Sequence, residues 1–415
     1  MATHHTLIPL ILLAAFSQVS YALSLQQAEQ IALQQDPTIE LNLATADAFE
    51  HSAVASDTLP DPQLRVGLFN LPTDSFDLDQ EPTTQLRFGV QQKLPRGDSL
   101  DIKSTSDKIR SKGALQRAED AKLTLLRDLR ISFLNLYYQT RAAAIIDENR
   151  SLFSQLVSIT QDRYASGRAN QQDVLNATVQ LTRLDDRYTK ILTMQDKYRA
   201  QLASWIGEAA DLPVDTIFPA LPAKPDTSDI NSLLTKHPVI LAVQSDLEAE
   251  KMMTQMAKQD YSPDINAMFE YRKRFGENPD GSDRTDMLAA MVTMDIPLFT
   301  GNRQDRLVSA SKNKVEAARY RLDDVLRKLK QQLETSLSAY TRAEQREKLY
   351  QEQLISVAQD NASAALNAYQ SGVSDFTALM RAQITELDVA LDDLRIRVDK
   401  AIAQAQLLYI SGEQP

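Results

Sequence analysis

Two short stretches decide the fold: Tyr164-Ala165-Ser166-Gly167 and, 205 residues later, Tyr369-Gln370-Ser371-Gly372. Around them the chain repeats itself. Gly207 and Gly412 each follow by forty residues, and Leu125, Leu129, Phe133 and Leu136 recur at the same spacing as Leu329, Leu333, Leu337 and Tyr340. Upstream, Asp36-Pro37 matches His237-Pro238 and Pro62 matches Pro263, both at an offset of 201. A period shared over nearly the whole chain marks a duplicated unit of roughly two hundred residues. The repeats run over 23–207 and 230–412, and the linker between them, 208–229, carries four prolines.

Proline placement says what the repeat is made of. All sixteen prolines avoid residues 96–212 and 298–414. Proline removes a donor and clashes with the preceding turn in a helix interior, so its absence permits very long helices. At 1.5 Å per residue, helices over 98–166 and 301–371 would each span about 100 Å, several times the diameter of a small domain. Glycine at each Tyr-x-Ser-Gly stretch ends one helix, and Asn170 or Ser374 can cap the next, giving helical hairpins over 98–207 and 301–412. The 4-4-3 apolar spacing is that of a seam packed on neighbouring helices.

Each repeat opens with a helix broken at proline: Leu25 to about Leu59, interrupted at Pro37, and Ile230 to Tyr261, interrupted at Pro238. Alternating stretches with turn-rich gaps follow, the signature of β-hairpins over 62–94 and 264–297. In them Leu86, Phe88, Val90, Ile265, Ala267, Phe269 and Tyr271 share one face, while Gln85, Arg87, Gln91, Asn266, Glu270 and Arg272 share the other. Apolar outside and polar inside is the pattern of an outer-membrane barrel, although a half-buried soluble sheet has the same alternation. The attached helices favour the barrel, since no soluble core needs helices of that length. Four strands cannot close a barrel alone; three copies give twelve strands around a water-filled interior. The fold class is therefore mainly α with a small β part.

Composition narrows the function. A formal net charge of −11 disfavours nucleic acid as a partner. The chain has no cysteine, which excludes disulfides, thiolate metal sites and a lipid-modified cysteine. Leu7 to Phe16 is a short apolar run before Ser20-Tyr21-Ala22, so residues 1–22 read as a secretory signal, though its start lacks Lys or Arg. No enzyme motif occurs, so no catalytic residue and no cofactor are expected. Seven of the ten methionines lie between Met252 and Met294; thioethers bind Cu(I) and Ag(I), but gap filling is their commoner use, and no metal site is assigned. His51 and His237 read as solvated helix residues.

With this duplicated order and the turns Tyr164–Ala177 and Tyr369–Ala382, the chain resembles the TolC family of outer-membrane efflux channels over essentially all of 23–412. The resemblance implies a homotrimer in the outer membrane of a Gram-negative bacterium, with a helical coiled-coil barrel continuous with a twelve-stranded β-barrel and reaching into the periplasm. It implies contact with outer-membrane lipid, a periplasmic adaptor (membrane fusion protein) and an inner-membrane RND or ABC pump. It places Tyr164, Gly167, Arg168, Tyr369 and Gly372 at a tip that docks the adaptor. Asp173 matches an acidic aperture position of the family; at the corresponding positions of the second repeat stand Ala378 and Arg381, so Asp375 is the substitute candidate there, and Arg381 would pair with Asp375 or Asp173 to latch a closed state. A protein-secretion duct shares the same plan, and a poreless periplasmic coiled-coil adaptor is the rival from another class.

Overall fold

The computed structural model describes residues 22–226 and 230–412, so the expected signal, apart from Ala22, lies outside the described residues. Helices α1 (Leu25–Gln35) and α2 (Pro37–Ser56) precede strands β1 (Gln63–Phe69) and β2 (Gln85–Leu94). The long α3 (Ser99–Ala165) and α4 (Gln171–Ile206) complete the first repeat. The second repeats the order with α5 (Ile230–Lys236), α6 (Pro238–Gln259), β3 (Ile265–Arg274), β4 (Met287–Met294), α7 (Gln304–Leu349), α8 (Ile355–Gln370) and α9 (Phe376–Ser411). The helix expected over 301–371 carries one feature that spacing did not announce, a π-helical turn at Tyr350–Leu354 between α7 and α8.

Two compact units divide the chain, and each draws on both repeats. One comprises Asp36–Arg127, Pro222–Thr341 and the chain from Ala403. It holds a single antiparallel sheet in the order β1-β2-β3-β4. The two hairpins are thus joined edge to edge by β2 and β3, a pairing between distant segments that no local pattern encodes. Paired residues share a face, so ladder rows run across all four strands: Leu64–Val90–Phe269–Ala290, and Val66–Phe88–Tyr271–Leu288. These large side chains are exposed. The face is interrupted by Gln92, whose amide donates to the Pro60 carbonyl at 2.8 Å. The opposite face carries Arg65, Arg87, Gln91, Asn266, Glu270 and Arg272. There the buried Glu270 carboxylate lies 2.6 Å from Arg272 Nε and 3.8 Å from Arg87 Nε. The alternation expected from sequence is present on both faces.

Where the sheet ends, Arg96 holds three carboxylates: Asp260 at 2.9 Å, Asp264 at 3.2 Å and Asp295 at 3.0 Å. One guanidinium so ties the end of β2 to the segments entering β3 and leaving β4. Beneath, Leu234, Ile240, Leu329, Leu333, Leu407 and Ile410 form a core, and the expected seam residues Leu337 and Tyr340 pack against it.

His237 departs from expectation: it is 1% exposed and caps α6. Its Nδ1 accepts from the Val239 amide at 3.2 Å, so Nε2 carries the proton and donates to the Tyr409 carbonyl at 2.9 Å. The sequence pairing already pointed there, because Asp36 does the same work in the first repeat, accepting from the Thr38 and Ile39 amides. Asp120, Arg127 and Tyr409 surround the imidazole. Burial pushes the His237 pKa down, Asp120 up, and Tyr409 up to about 12. A depressed histidine is charged first in the unfolded chain, so its contribution to stability is intact above about pH 6.5 and is lost as pH falls through the folded value. Asp120, protonated more readily when folded, opposes this as pH falls further. His237→Asn is expected to melt at a temperature that varies less between about pH 7.5 and about 5.5 than the parent's, since the amide can still cap α6 and does not titrate. Equal slopes for both proteins would refute the assignment.

The other unit comprises the chain up to Gln35, Asp128–Leu221 and Arg342–Ile402. Leu129, Phe133 and Leu136 of the seam are buried in it, with Phe153, Leu387 and Leu394. Arg130, itself buried, reaches the half-buried Glu29 of α1 at 2.6 Å. The linker is fastened along residues 214–218. Leu23 bridges Val214, Tyr137 donates to the Thr216 carbonyl at 3.2 Å and packs edge-on against Phe218, and Arg397 covers the Phe218 ring at 5.0 Å.

Candidate functional site: the paired interhelical turns

Both Tyr-x-Ser-Gly turns lie in this second unit, and the backbone explains their glycines. After α3, the Gly167 amide bonds the Tyr164 carbonyl at 2.9 Å and Arg168 bonds Arg163 at 2.8 Å. After α8, Gly372 bonds Tyr369 at 3.1 Å and Val373 bonds Ala368 at 2.9 Å. Such closure needs a left-handed residue, and Gly167 and Gly372 have φ of 73° and 76°. No atom lies within 4 Å of a Cβ built on either. Conformation demands these glycines; crowding does not, and their backbone stands open.

The acidic candidates are engaged at helix starts. Asn170 caps α4 by accepting from the Asp173 amide at 2.8 Å, and the Asp173 carboxylate reaches back to the Asn170 amide at 3.5 Å. Asp375, rather than the expected Ser374, caps α9 by accepting from the Ala378 amide at 2.7 Å. The reason is register: the Ser374 amide still closes the previous helix on Ala368, leaving Asp375 as the first residue free to cap. Arg381 is exposed on α9, beside a cavity of about 300 Å³ that Asn176, Gln180 and Met380 also line. Among the described residues it forms no ion pair with Asp173 or Asp375.

The two tyrosines have parted ways. Tyr164 is 49% exposed and available to a partner, whereas Tyr369 is 7% exposed. Arg163 covers the Tyr369 ring at 4.5 Å and donates to the Tyr369 carbonyl at 3.2 Å, and Phe376 packs edge-on at 5.6 Å. Tyr369 therefore joins the two hairpins, and its ring is not presented at the tip. Sequence reading missed Arg163, and it missed a second cross-link, Arg187 to Asp388 at 2.8 Å between α4 and α9. Neither has a spacing signal, because each pairs residues about two hundred positions apart.

The methionine cluster carries no sign of a metal site. Met268 pairs with Met291 on the polar face of the sheet, but Arg65 Nη1 stands 4.0 Å from the Met268 sulfur, an unfavourable neighbour for a cation. Met294 pairs with Ile265 on the apolar face. Among the described residues no His, Asp or Glu cluster could hold a metal ion.

Residues 230–413 match the family model described as outer membrane efflux protein, nearly the bounds of the second repeat. Solved structures extend the same fold over both repeats. The outer-membrane channel OprN has a TM-score of 0.79 at 16% identity, over 94% of this chain and 89% of that one. The outer membrane protein VceC from Vibrio cholerae has 0.78 at 16%, over 94% and 96%. The Campylobacter jejuni CmeC outer membrane channel has 0.78 at 12%, over 94% and 85%. No curated protein matches. The fold is TolC-like. No described helix is long and apolar enough to cross a membrane.

Proposed function

We propose that this chain is one third of a homotrimeric exit duct, passing small molecules or ions delivered by an inner-membrane RND or ABC pump through a periplasmic adaptor. The observation that carries this is the open sheet, apolar on one face and charged on the other. Its outer strands β1 and β4 pair with nothing else among the described residues. Three such sheets joined edge to edge satisfy both edges, turn the apolar rows to lipid and leave the arginines and Glu270 along a wet lumen. The duct is passive, and the pump selects. Tyr164, Arg168 and the open backbones of Gly167 and Gly372 form the docking tip. Asp173 and Asp375, fixed at the starts of α4 and α9, set the charge at the aperture.

Purified trimer in planar bilayers should conduct with a preference for cations. Replacing Asp173 and Asp375 together by Asn keeps both caps while removing both charges. The reversal potential in a salt gradient is then expected to move toward zero, and Arg381→Ala to raise single-channel conductance. A reversal potential unmoved by the double replacement would remove these residues from the aperture. Absence of any conductance from a folded trimer would defeat the duct. Purification from the native membrane identifies the adaptor and pump; a polypeptide-secreting pump in that complex would reassign the cargo.

A further inference from the structure

The two repeats handle the junction between sheet and long helix differently. The first passes from β2 through Pro95-Arg96-Gly97, and the second from β4 through Pro297-Leu298-Phe299-Thr300-Gly301. The prolines stand 202 residues apart and the glycines 204, so the second junction is longer by two residues. Where the first spends its junction on a guanidinium bound to three carboxylates, the second presents apolar surface: Ile296 is 66%, Leu298 72% and Phe299 90% exposed. The backbone beneath is held. Asp295 bonds the Asp264 carbonyl at 3.2 Å, Leu298 bonds Ile296 at 2.9 Å, and the Thr300 carbonyl accepts from Arg303 and Asp305 at the start of α7.

We infer that Ile296, Leu298 and Phe299 are a membrane-interface anchor, seated at the acyl–headgroup boundary of the leaflet facing the periplasm. This rests on the barrel reading above. The argument is continuity with the apolar face of the sheet. Its rows close with Leu94–Ile265–Met294, and Ile296 follows Met294 by two residues on the same strand path. From Leu288 to Met294 the strand advances about 20 Å, close to the ~25 Å apolar band of an outer-membrane barrel. Phe299 then falls at the band's edge, where aromatic side chains concentrate in membrane proteins. The far edge carries matching polar cues: Lys273 ion-pairs with Asp286 at 3.2 Å, and the Tyr271 hydroxyl bonds the same carboxylate. Water is a poor solvent for three such side chains on a fixed backbone, and a lipid surface is the partner their chemistry fits.

The chain has no cysteine, so single thiols can be placed without altering the background. Phe299→Cys, Leu298→Cys and, as reference, Val292→Cys on the sheet face would carry a nitroxide label. The trimers would be reconstituted in dioleoylphosphatidylcholine vesicles and probed by electron paramagnetic resonance. Collisions with oxygen report lipid, and collisions with a neutral nickel chelate report water. Labels at 299 and 298 are expected to meet oxygen several-fold more than nickel, at shallower depth than the label at 292. If 292 lies in lipid while 299 and 298 meet nickel, or are shielded from both probes, the anchor is overturned and the barrel stands. If 292 itself meets nickel, the barrel reading falls and the anchor with it. Should one junction variant fail to assemble, the other decides.

Discussion

Phe269→Arg is expected to abolish assembly of the protein in the outer membrane. Phe269 lies in the middle of a four-strand apolar row, between Val90 and Ala290. An arginine facing lipid near the bilayer midplane costs about 2–4 kcal/mol in an outer-membrane barrel. A three-fold assembly incurs that cost three times. One ladder position away and on the opposite face, Gln91→Arg should assemble, because that face already accommodates Arg65, Arg87 and Arg272. The readout is the heat-modifiable trimer in outer-membrane fractions. Equal trimer yields from both variants would mean that the apolar face does not contact lipid.

The second large effect is expected at Arg130. Its guanidinium, buried in α3, lies 2.6 Å from the half-buried Glu29, fastening α1 onto α3. Arg130→Ala removes the partner and strands a carboxylate in a medium that solvates it poorly, at a cost of about 3–5 kcal/mol. Replacing the pair together, Arg130→Met with Glu29→Leu, should restore most of the loss, since a buried ion pair and an apolar pair of similar volume are close in free energy. Denaturant midpoints of helix loss in detergent would measure both. A single variant as stable as its parent would show that water reaches Glu29.

How far these features could be read in the sequence depends on their range. The proline-free windows gave the long helices, because one proline in either would have broken them. The strand faces were legible from period two, and the offset of 201 placed Asp36 and His237 at equivalent positions. The histidine was nonetheless misread as solvated. A cap is a local role, but burial is decided by Tyr409 and Asp120, far away in the chain. The pairing of β2 with β3, the Arg163–Tyr369 stack and the Arg187–Asp388 link were invisible for the same reason. At the turns, spacing found the glycines but misjudged the cap by one residue, choosing Ser374 over Asp375. It also treated two tyrosines as equals that the fold has made unequal.

The π turn at Tyr350–Leu354 has a consequence for how the repeats diverged. Leu125 and Leu329 stand 204 residues apart, as do Leu136 and Tyr340, yet Tyr164 and Tyr369 stand 205 apart. Between Tyr340 and Tyr369 the second copy is one residue longer than the first between Leu136 and Tyr164, and the π turn lies in that interval. In an uninterrupted α-helix one added residue rotates everything downstream by about 100°. A single wide turn absorbs it locally and returns the helix to its former phase. Tyr369 thus kept the angular bearing that sets its ring beneath Arg163, and the turn records a length mutation that the packing at the tip survived.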